Sequence, residues 1–174
     1  YHNTLEADLR EVDFVVTDCA AFASLHRNGG SFGWKSELEV VHIIELLSDV
    51  IEDLPVKAKE DGSKMMLHDS CYIGRHLDLF KETRAIVSAV CDPEPSEFQF
   101  NREDASCCGG AAHYHVVAPE ASKRCASERL SEMAREGGKS IICGSATCDK
   151  AFKRARDANA STVLLNVVCT ACGF

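Results

Sequence analysis

The chain lacks the features of a membrane-spanning or nucleic-acid-binding protein. It has no signal-peptide pattern, and no apolar run approaches the roughly 18 residues that a membrane-spanning helix needs. Basic residues are few: 19 Lys and Arg stand against 27 Asp and Glu, which gives a formal net charge of -8 at pH 7. A nucleic-acid partner or an anionic membrane surface asks for a basic face. These absences favour a cytosolic protein that binds no nucleic acid.

Cysteine, by contrast, is abundant, with ten residues in a chain of 174. A single domain of this length buries about 70% of its unfolded surface and needs no disulfides to fold. The thiols are therefore expected to be reduced and available for metal binding or redox chemistry, and not to form the disulfide framework of a secreted protein.

Two adjacent cysteines, Cys107 and Cys108, run directly into Gly109 and Gly110. Neighbouring Cα atoms are about 3.8 Å apart, whereas an unstrained disulfide prefers about 5.5–6 Å, so the two cysteines need a partner other than each other. Glycine lets the following backbone adopt a positive φ or come close to a bound object. A metal or metal cluster fits both facts. The alternative is a tight turn with two buried, inert thiols.

Apolar runs of strand length alternate with helical patterns along the chain. The predicted strands are residues 13–17, 39–43, 64–68, 97–100, 140–143 and 162–168. The predicted helices are residues 44–53, 77–90, 119–135 and 147–157. Strands separated by helices imply crossover connections, so we predict an α/β fold with a mostly parallel sheet and helices on both faces.

Five cysteines follow the ends of predicted strands. Ligands of an open parallel sheet bind beyond the carboxyl ends of its strands, so these cysteines are expected to lie together. They are Cys19, Cys71, Cys107, Cys108 and Cys148.

An internal repeat relates the two ends of the chain. Residues 15–22 align with residues 141–148, which pairs Cys19 with Ser145 and Phe22 with Cys148. Each copy keeps one position of a C-x2-C pair and has lost the other. The alignment predicts two pseudo-repeated halves, each with a strand and loop followed by a helix and a further strand. If the alignment is accidental, the two cysteines are unrelated buried residues.

Three motifs together resemble the cysteine-rich CCG domain. Residues 68–76 read HDSCYIGRH, 35 residues separate Cys71 from Cys107, and about 35 more lead to the degraded C-x2-C that begins at Ser145. This family includes heterodisulfide reductase subunits and the iron–sulfur subunits of glycolate and lactate oxidases, commonly as two tandem copies. Residues 111–120 are most similar to the glycolate-oxidase branch.

The resemblance also predicts how the chain is organised. Residues 1–55 would be the second half of a first copy, and residues 64–174 would form a complete second copy. The leading cysteine and the Cys-Cys-Gly of the first copy would then lie upstream of Tyr1. We therefore expect the chain to be a piece of a longer protein.

A metal centre is the second implication of the resemblance. In the heterodisulfide reductase branch, five cysteines of one copy hold a four-iron cluster, and elsewhere the site can hold zinc. Carried to this chain, the cofactor-binding residues are Cys71, Cys107, Cys108, Cys148, Gly109 and Gly110, with Cys143 and Cys19 as further candidate metal ligands. Since Ser145 occupies the fifth place, four thiolates remain, and they could hold an iron–sulfur cluster of the 4Fe–4S type or zinc.

The remaining cysteines and histidines have simpler interpretations. His68 and His76 flank Cys71 and are better explained as residues that orient the loop by hydrogen bonds than as ligands. Cys91 and Cys125 are interpreted as small core residues. Cys169 and Cys172 form a complete C-x2-C that the family does not predict, and it stays unassigned.

The resemblance implies an iron–sulfur oxidoreductase component of a larger complex. It would pass electrons between a flavoprotein partner, such as a glycolate or lactate oxidase, and a quinone or disulfide acceptor. Other iron–sulfur subunits of the redox complex would be further partners, and one of them could hold the complex at the inner face of a membrane. The alternatives are a zinc-bound or metal-free scaffold domain and a cluster-free thiol–disulfide enzyme.

Overall fold

A computed structural model describes residues 12–28, 39–157 and 160–173. The strands are β1 (Phe14–Thr17), β2 (Glu39–His42), β3 (Met65–His68), β4 (Ser96–Glu97), β5 (Ser140–Cys143) and β6 (Ser161–Val163). The helices are α1 (Ala20–Asn28), α2 (Ile43–Val50), α3 (Phe80–Val90), α4 (Tyr114–Val117), α5 (Pro119–Arg135), α6 (Ala146–Ala155) and α7 (Leu164–Cys172). Short 3-10 turns lie at Ile51–Asp53 and Arg102–Asp104. None of the helices in these ranges combines the length and apolarity that crossing a membrane requires.

Every strand pair in the described ranges is parallel. β1 and β2 form one two-stranded sheet, and the other four strands form a second sheet in the order β4, β3, β5, β6. His68 lies opposite Cys143, and Cys143 lies opposite Val163. The carboxyl ends of β3, β5 and β6 therefore meet at one sheet edge. Parallel pairing with helical crossovers confirms the predicted α/β fold.

Helices cover both faces of the four-stranded sheet. Successive strand residues point to opposite faces, so Leu67 and Ile142 belong to one hydrophobic cluster and Met66 and Ile141 to another. The first cluster includes buried residues of α2, α3 and α7, and the second includes buried residues of α5 and α6. The sheet is thus the central layer of the fold, and its edges are where loops can carry ligands.

Two strands predicted from the sequence are wrong in extent. β6 ends at Val163, and most of the apolar run at residues 162–168 belongs to α7, whose buried residues recur at steps of three and four. The fourth strand is limited to Ser96 and Glu97, which pair with β3. Phe98 turns into the core instead, where its ring lies 3.5 Å beneath the guanidinium of Arg129. That cation–π contact and burial, not strand pairing, fix the segment.

The two ends of the chain repeat one arrangement of elements. α1 begins three residues after the end of β1, and α6 begins three residues after the end of β5. α2 and α7 both begin at the residue directly after a strand, and Thr17 lies opposite His42 as Cys143 lies opposite Val163. This agreement supports the alignment of residues 15–22 with 141–148. The division into residues 1–55 and 64–174 stays a prediction.

The repeat also allows a matched test of burial. Ile142 is 0% exposed on the central strand, so Ile142→Ala should lower the free energy of unfolding by about 2–5 kcal/mol. Its counterpart Val16 is 39% exposed, and Val16→Ala should cost at most about 1 kcal/mol. Urea unfolding followed by circular dichroism measures both variants. Equal losses of unfolding free energy in the two variants would show that the difference in burial between Ile142 and Val16 does not determine their contributions to stability.

Candidate metal centre

Four cysteines converge at the carboxyl edge of the four-stranded sheet. Cys71 follows β3, Cys107 and Cys108 lie in the loop after β4, and Cys148 lies in the first turn of α6. The Sγ atoms of Cys108 and Cys148 are 3.1 Å apart, and the thiol of Cys71 is within hydrogen-bonding reach of Cys107. The structure thus brings together four of the five cysteines that the sequence placed at strand ends. The fifth, Cys19, follows β1 of the two-stranded sheet, so the prediction is not met for it.

The four thiols differ in solvent exposure, from fully buried to exposed. Cys108 and Cys148 are 1% and 3% exposed, Cys71 is half-buried, and Cys107 is exposed. A group bound among them would therefore be enclosed on one side and accessible on the other.

Gly109 and Gly110 let the turn pack against two helices. Gly109 has a φ of +72°, and a Cβ there would lie 2.6 Å from the carbonyl oxygen of Ser122 in α5. A Cβ on Gly110 would lie 2.6 Å from the carbonyl oxygen of Thr147 in α6. The positive φ and the close approach that the sequence predicted are both present, and the approaching objects are helices.

The same two glycines orient their N–H groups toward sulfur. Gly109 N–H donates to Cys107 Sγ at 3.3 Å, and Gly110 N–H donates to Cys108 Sγ at 3.4 Å. Hydrogen bonds of this kind favour the thiolate form and orient metal-binding groups. The turn therefore presents its two sulfurs as potential ligands.

Without a bound metal, the four thiols of the candidate centre do not all ionise. Hydrogen bonding with Cys108 and Cys71 holds the pKa of Cys107 well below the ordinary thiol value, and hydrogen bonding with Cys108 does the same for Cys148, with help from His68 and Ser70. The single S–H proton of Cys108 serves one of these two sulfurs at a time. The hydrogen bond to Cys107 raises the pKa of Cys71 and of Cys108 well above the ordinary thiol value. The hydrogen bonds and burial thus favour the thiolate at Cys107 and Cys148 and the neutral thiol at Cys71 and Cys108. A cation bound between them would permit all four to ionise.

Ser145 occupies the place of a cysteine and has a different role. Its hydroxyl accepts a hydrogen bond from Thr147 N–H at 3.3 Å and caps the N-terminus of α6. Cys148 lies in the first turn of that helix, where the positive end of the helix dipole favours the thiolate.

Two further candidate ligands, Cys143 and Cys19, have different surroundings. Cys143 is buried, and its Sγ contacts the carbonyl oxygens of Ser145 and Thr162 at 3.5 and 3.6 Å. Burial raises its pKa well above the ordinary value. Cys19 is exposed in the loop before α1. Within the described ranges, the ligand atoms that all lie within 4.8 Å of one another belong to His68, Cys108 and Cys148, and this closest group includes neither Cys71 and Cys107 nor Cys143 and Cys19.

His68 is the site residue that sequence reasoning set aside. It is the last residue of β3 and is 1% exposed, so its ring lies inside the fold at the same sheet edge as the thiols. His76, which also flanks Cys71, is exposed and stacks on Tyr72 with ring centroids 4.7 Å apart. The position of His68 at a strand end, three residues before Cys71, is the signal that could have separated the two histidines.

A buried carboxylate fixes the segment before Cys107. Asp69 accepts two hydrogen bonds from the guanidinium of Arg84, at 2.9 and 3.0 Å, and one from Arg102 N–H at 2.8 Å. Burial opposes the ionised form of Asp69, but these hydrogen bonds keep its pKa below the ordinary value. The turn that carries Cys71 is thereby tied to the 3-10 turn that leads to Cys107.

Arg75 makes a second connection between the same two segments. Its guanidinium donates to the carbonyl oxygens of Glu103 and Ala105 at 3.1 and 3.3 Å. The relative position of Cys71 and Cys107 is therefore fixed from both sides of Cys71.

Sequence comparisons match the part of the chain that holds these cysteines. The family described as the cysteine-rich domain CCG matches residues 65–153, just over half of the chain. A component of the dihydromethanophenazine:CoB–CoM heterodisulfide reductase of Methanosarcina barkeri is 23% identical over 134 residues, covering 76% of this chain and 33% of that protein.

Two bacterial proteins are similar as well. The probable iron–sulfur-binding oxidoreductase FadF of Bacillus subtilis is 26% identical over 124 residues, covering 70% of this chain and 17% of FadF. The EtfAB:quinone oxidoreductase of Syntrophomonas wolfei is 33% identical over 72 residues, covering 41% of this chain and 10% of that protein. The chain thus spans a third or less of the length of these curated relatives.

The importance of the Asp69 connection can be tested with a matched pair of variants. Asp69→Asn should lower the free energy of unfolding by about 3–5 kcal/mol, because it breaks a buried ion pair from one side. Glu97→Gln removes the other carboxylate bonded to Arg84, but Glu97 is 37% exposed, so the loss should be about 1 kcal/mol or less. Urea denaturation measures both, and an equal loss would argue against a special role for Asp69.

Proposed function

The chain belongs to the cysteine-rich CCG domain family, and we propose that it binds an iron–sulfur cluster through Cys71, Cys107, Cys108 and Cys148. The observation that carries this proposal is the convergence of the four sulfurs at one sheet edge, with Cys108 and Cys148 in contact at 3.1 Å. Gly109 and Gly110 would support the cluster through the N–H groups they direct at Cys107 and Cys108.

The donor set fits this group. Soft thiolate ligands select iron–sulfur clusters and zinc over hard cations, and the four thiolates present here are enough to hold a cluster of the 4Fe–4S type. The cluster would supply one-electron chemistry. The chain's part would be to position the sulfurs, to donate hydrogen bonds to them and to exclude water from the buried side.

The exposed side of the site suits electron exchange with a partner. Cys107 is exposed, and α4, which follows the glycine turn, exposes Tyr114, Val116 and Val117 by 40%, 66% and 80%. Apolar side chains grouped at the surface are typical of interaction sites. We propose that a flavoprotein docks here, and that a 2-hydroxy-acid oxidase acting on glycolate or lactate is the best candidate.

The names of the relatives support a place in a multi-subunit redox chain. One relative is a subunit of a heterodisulfide reductase, and another is named a quinone oxidoreductase. We propose that electrons leave the cluster toward a quinone or a disulfide, with other iron–sulfur subunits completing the path. All ten cysteines are free thiols, which suits a reducing compartment, so we place the complex in the cytoplasm or at the inner face of a membrane.

The short distances among His68, Cys108 and Cys148 favour a second candidate function: a scaffold domain that binds a single zinc ion. Ligand atoms that share one tetrahedral zinc ion are about 3.3–3.8 Å apart, given metal–ligand bonds of about 2.0–2.3 Å. The atoms of His68, Cys108 and Cys148 lie within 4.8 Å of one another. In that case the domain would bind partners without carrying electrons.

Metal analysis of protein purified and reconstituted without oxygen tests the proposal. We expect about one cluster per chain, with visible absorbance, iron and acid-labile sulfide. Cys108→Ser should remove most of the iron, because it takes a soft ligand from a set in which Ser145 already replaces one cysteine. Cys125→Ser is the matched control: Cys125 is partly buried on α5, outside the proposed ligand set, and its loss should leave the iron content unchanged.

Each alternative gives a different result. Stoichiometric zinc with no iron uptake would favour the scaffold domain. Two clusters per chain would contradict a single four-thiolate centre. A protein that takes up neither metal would contradict any metal centre.

A further inference from the structure

His68 is a buried histidine whose hydrogen bonding is incomplete. It is 1% exposed, and its Nδ1 is buried without a hydrogen-bond partner among the residues that the structure describes. Leaving a buried polar atom unpaired costs about 1–3 kcal/mol, so such an atom calls for an explanation.

His42 provides a direct comparison within the same chain. It ends β2 as His68 ends β3, and it is 0% exposed. Both of its ring nitrogens are engaged, because Nδ1 accepts from Ile44 N–H at 3.3 Å and Nε2 lies 3.3 Å from the carbonyl oxygen of Asp18. Local backbone groups thus account for the burial of His42, but they do not account for His68.

The neighbours of His68 are the sulfurs of the candidate metal centre. One of its ring nitrogens lies within 4.8 Å of the Sγ atoms of Cys108 and Cys148. The ring of Phe152 stands edge-on to the imidazole, with centroids 5.1 Å apart and planes at 87°, and this packing restricts the ring orientation. A ring nitrogen of His68 is thus held within 4.8 Å of two buried sulfurs.

The side chains that the sequence suggested for a fifth ligand are engaged elsewhere. The hydroxyl of Ser145 caps α6, and oxygen is a poor match for a metal that selects thiolates. The sulfur of Cys143 is directed at two backbone carbonyl oxygens. Imidazole nitrogen, in contrast, suits both iron and zinc.

We propose that His68 is a direct metal ligand, so that the centre has one imidazole nitrogen and four cysteine sulfurs. This inference rests on the metal centre proposed above and adds a ligand that the cysteine motif does not contain. A neutral imidazole in place of a thiolate makes the centre less negative. Histidine in place of cysteine as a ligand to iron–sulfur clusters raises the reduction potential, so His68 would also raise the reduction potential of this centre.

Pulsed electron paramagnetic resonance on the iron-loaded full chain tests this ligand. The chain is produced with nitrogen-15 histidine, reconstituted with iron and sulfide without oxygen, and measured in a paramagnetic oxidation state. We expect a strong nitrogen-15 coupling of a directly bonded imidazole in the wild-type protein and its loss in His68→Phe. His76→Phe is the matched control, because His76 also flanks Cys71 but is exposed and stacked on Tyr72.

The outcomes separate this inference from the proposed function. A wild-type centre that takes up iron but shows only the weak coupling of a hydrogen-bonded nitrogen overturns His68 ligation and leaves the four-thiolate cluster in place. A wild-type chain that takes up no iron overturns both. The wild-type measurement can overturn the proposal even if His68→Phe does not fold, and a conservative His68→Asn variant then assigns the coupling to His68. If the nitrogen-15 coupling is lost in His76→Phe but retained in His68→Phe, the metal ligand is His76, and the proposal is overturned.

Discussion

The contact between the sulfurs of Cys108 and Cys148 is the constraint on which the rest of the site depends. The two residues belong to different elements, and their Sγ atoms lie 3.1 Å apart in the core. This contact requires the turn at Gly110 to approach the backbone of Thr147, which a side chain at that position would prevent. It also places two ionisable groups where water cannot screen them. A metal cation resolves that conflict, because it lets all the sulfurs ionise without mutual repulsion.

The surrounding fold gives the centre a buried end and an exposed end. His68 and Cys148 lie at the buried end, where the ring of Phe152 packs against that of His68, and Cys107 lies at the surface. Asp69 and Arg75 hold the exposed end in place by tying the turn of Cys71 to the segment before Cys107. An electron carrier needs this combination, since a rigid, dry interior tunes the metal and an accessible edge permits exchange with a partner.

Sequence patterns correctly predicted elements whose ends carry local signals. The predictions were wrong where contacts between distant residues determine the structure. The helix at residues 119–135 begins at a proline and ends before two glycines, and its bounds are confirmed. The resemblance to the CCG domain is confirmed by the family match. Residues 162–168 were wrongly predicted as a strand, because a short apolar run does not distinguish a buried strand from a buried helix. The open nitrogen of His68 and the pairing of Asp69 with Arg84 depend on distant residues, so no local pattern reveals them.

The central claim is that Cys71, Cys107, Cys108 and Cys148 together hold one metal centre. Thiol alkylation of the native full chain, read by peptide mass spectrometry, tests it most directly by comparing anaerobically metal-loaded protein with chelator-treated protein. We expect Cys107, which is exposed, to alkylate quickly after chelation and to become protected together with the other three cysteines when the metal is bound. Cys19, also exposed, should react equally fast in both samples. Rapid alkylation of Cys107 in the metal-loaded protein would contradict the account.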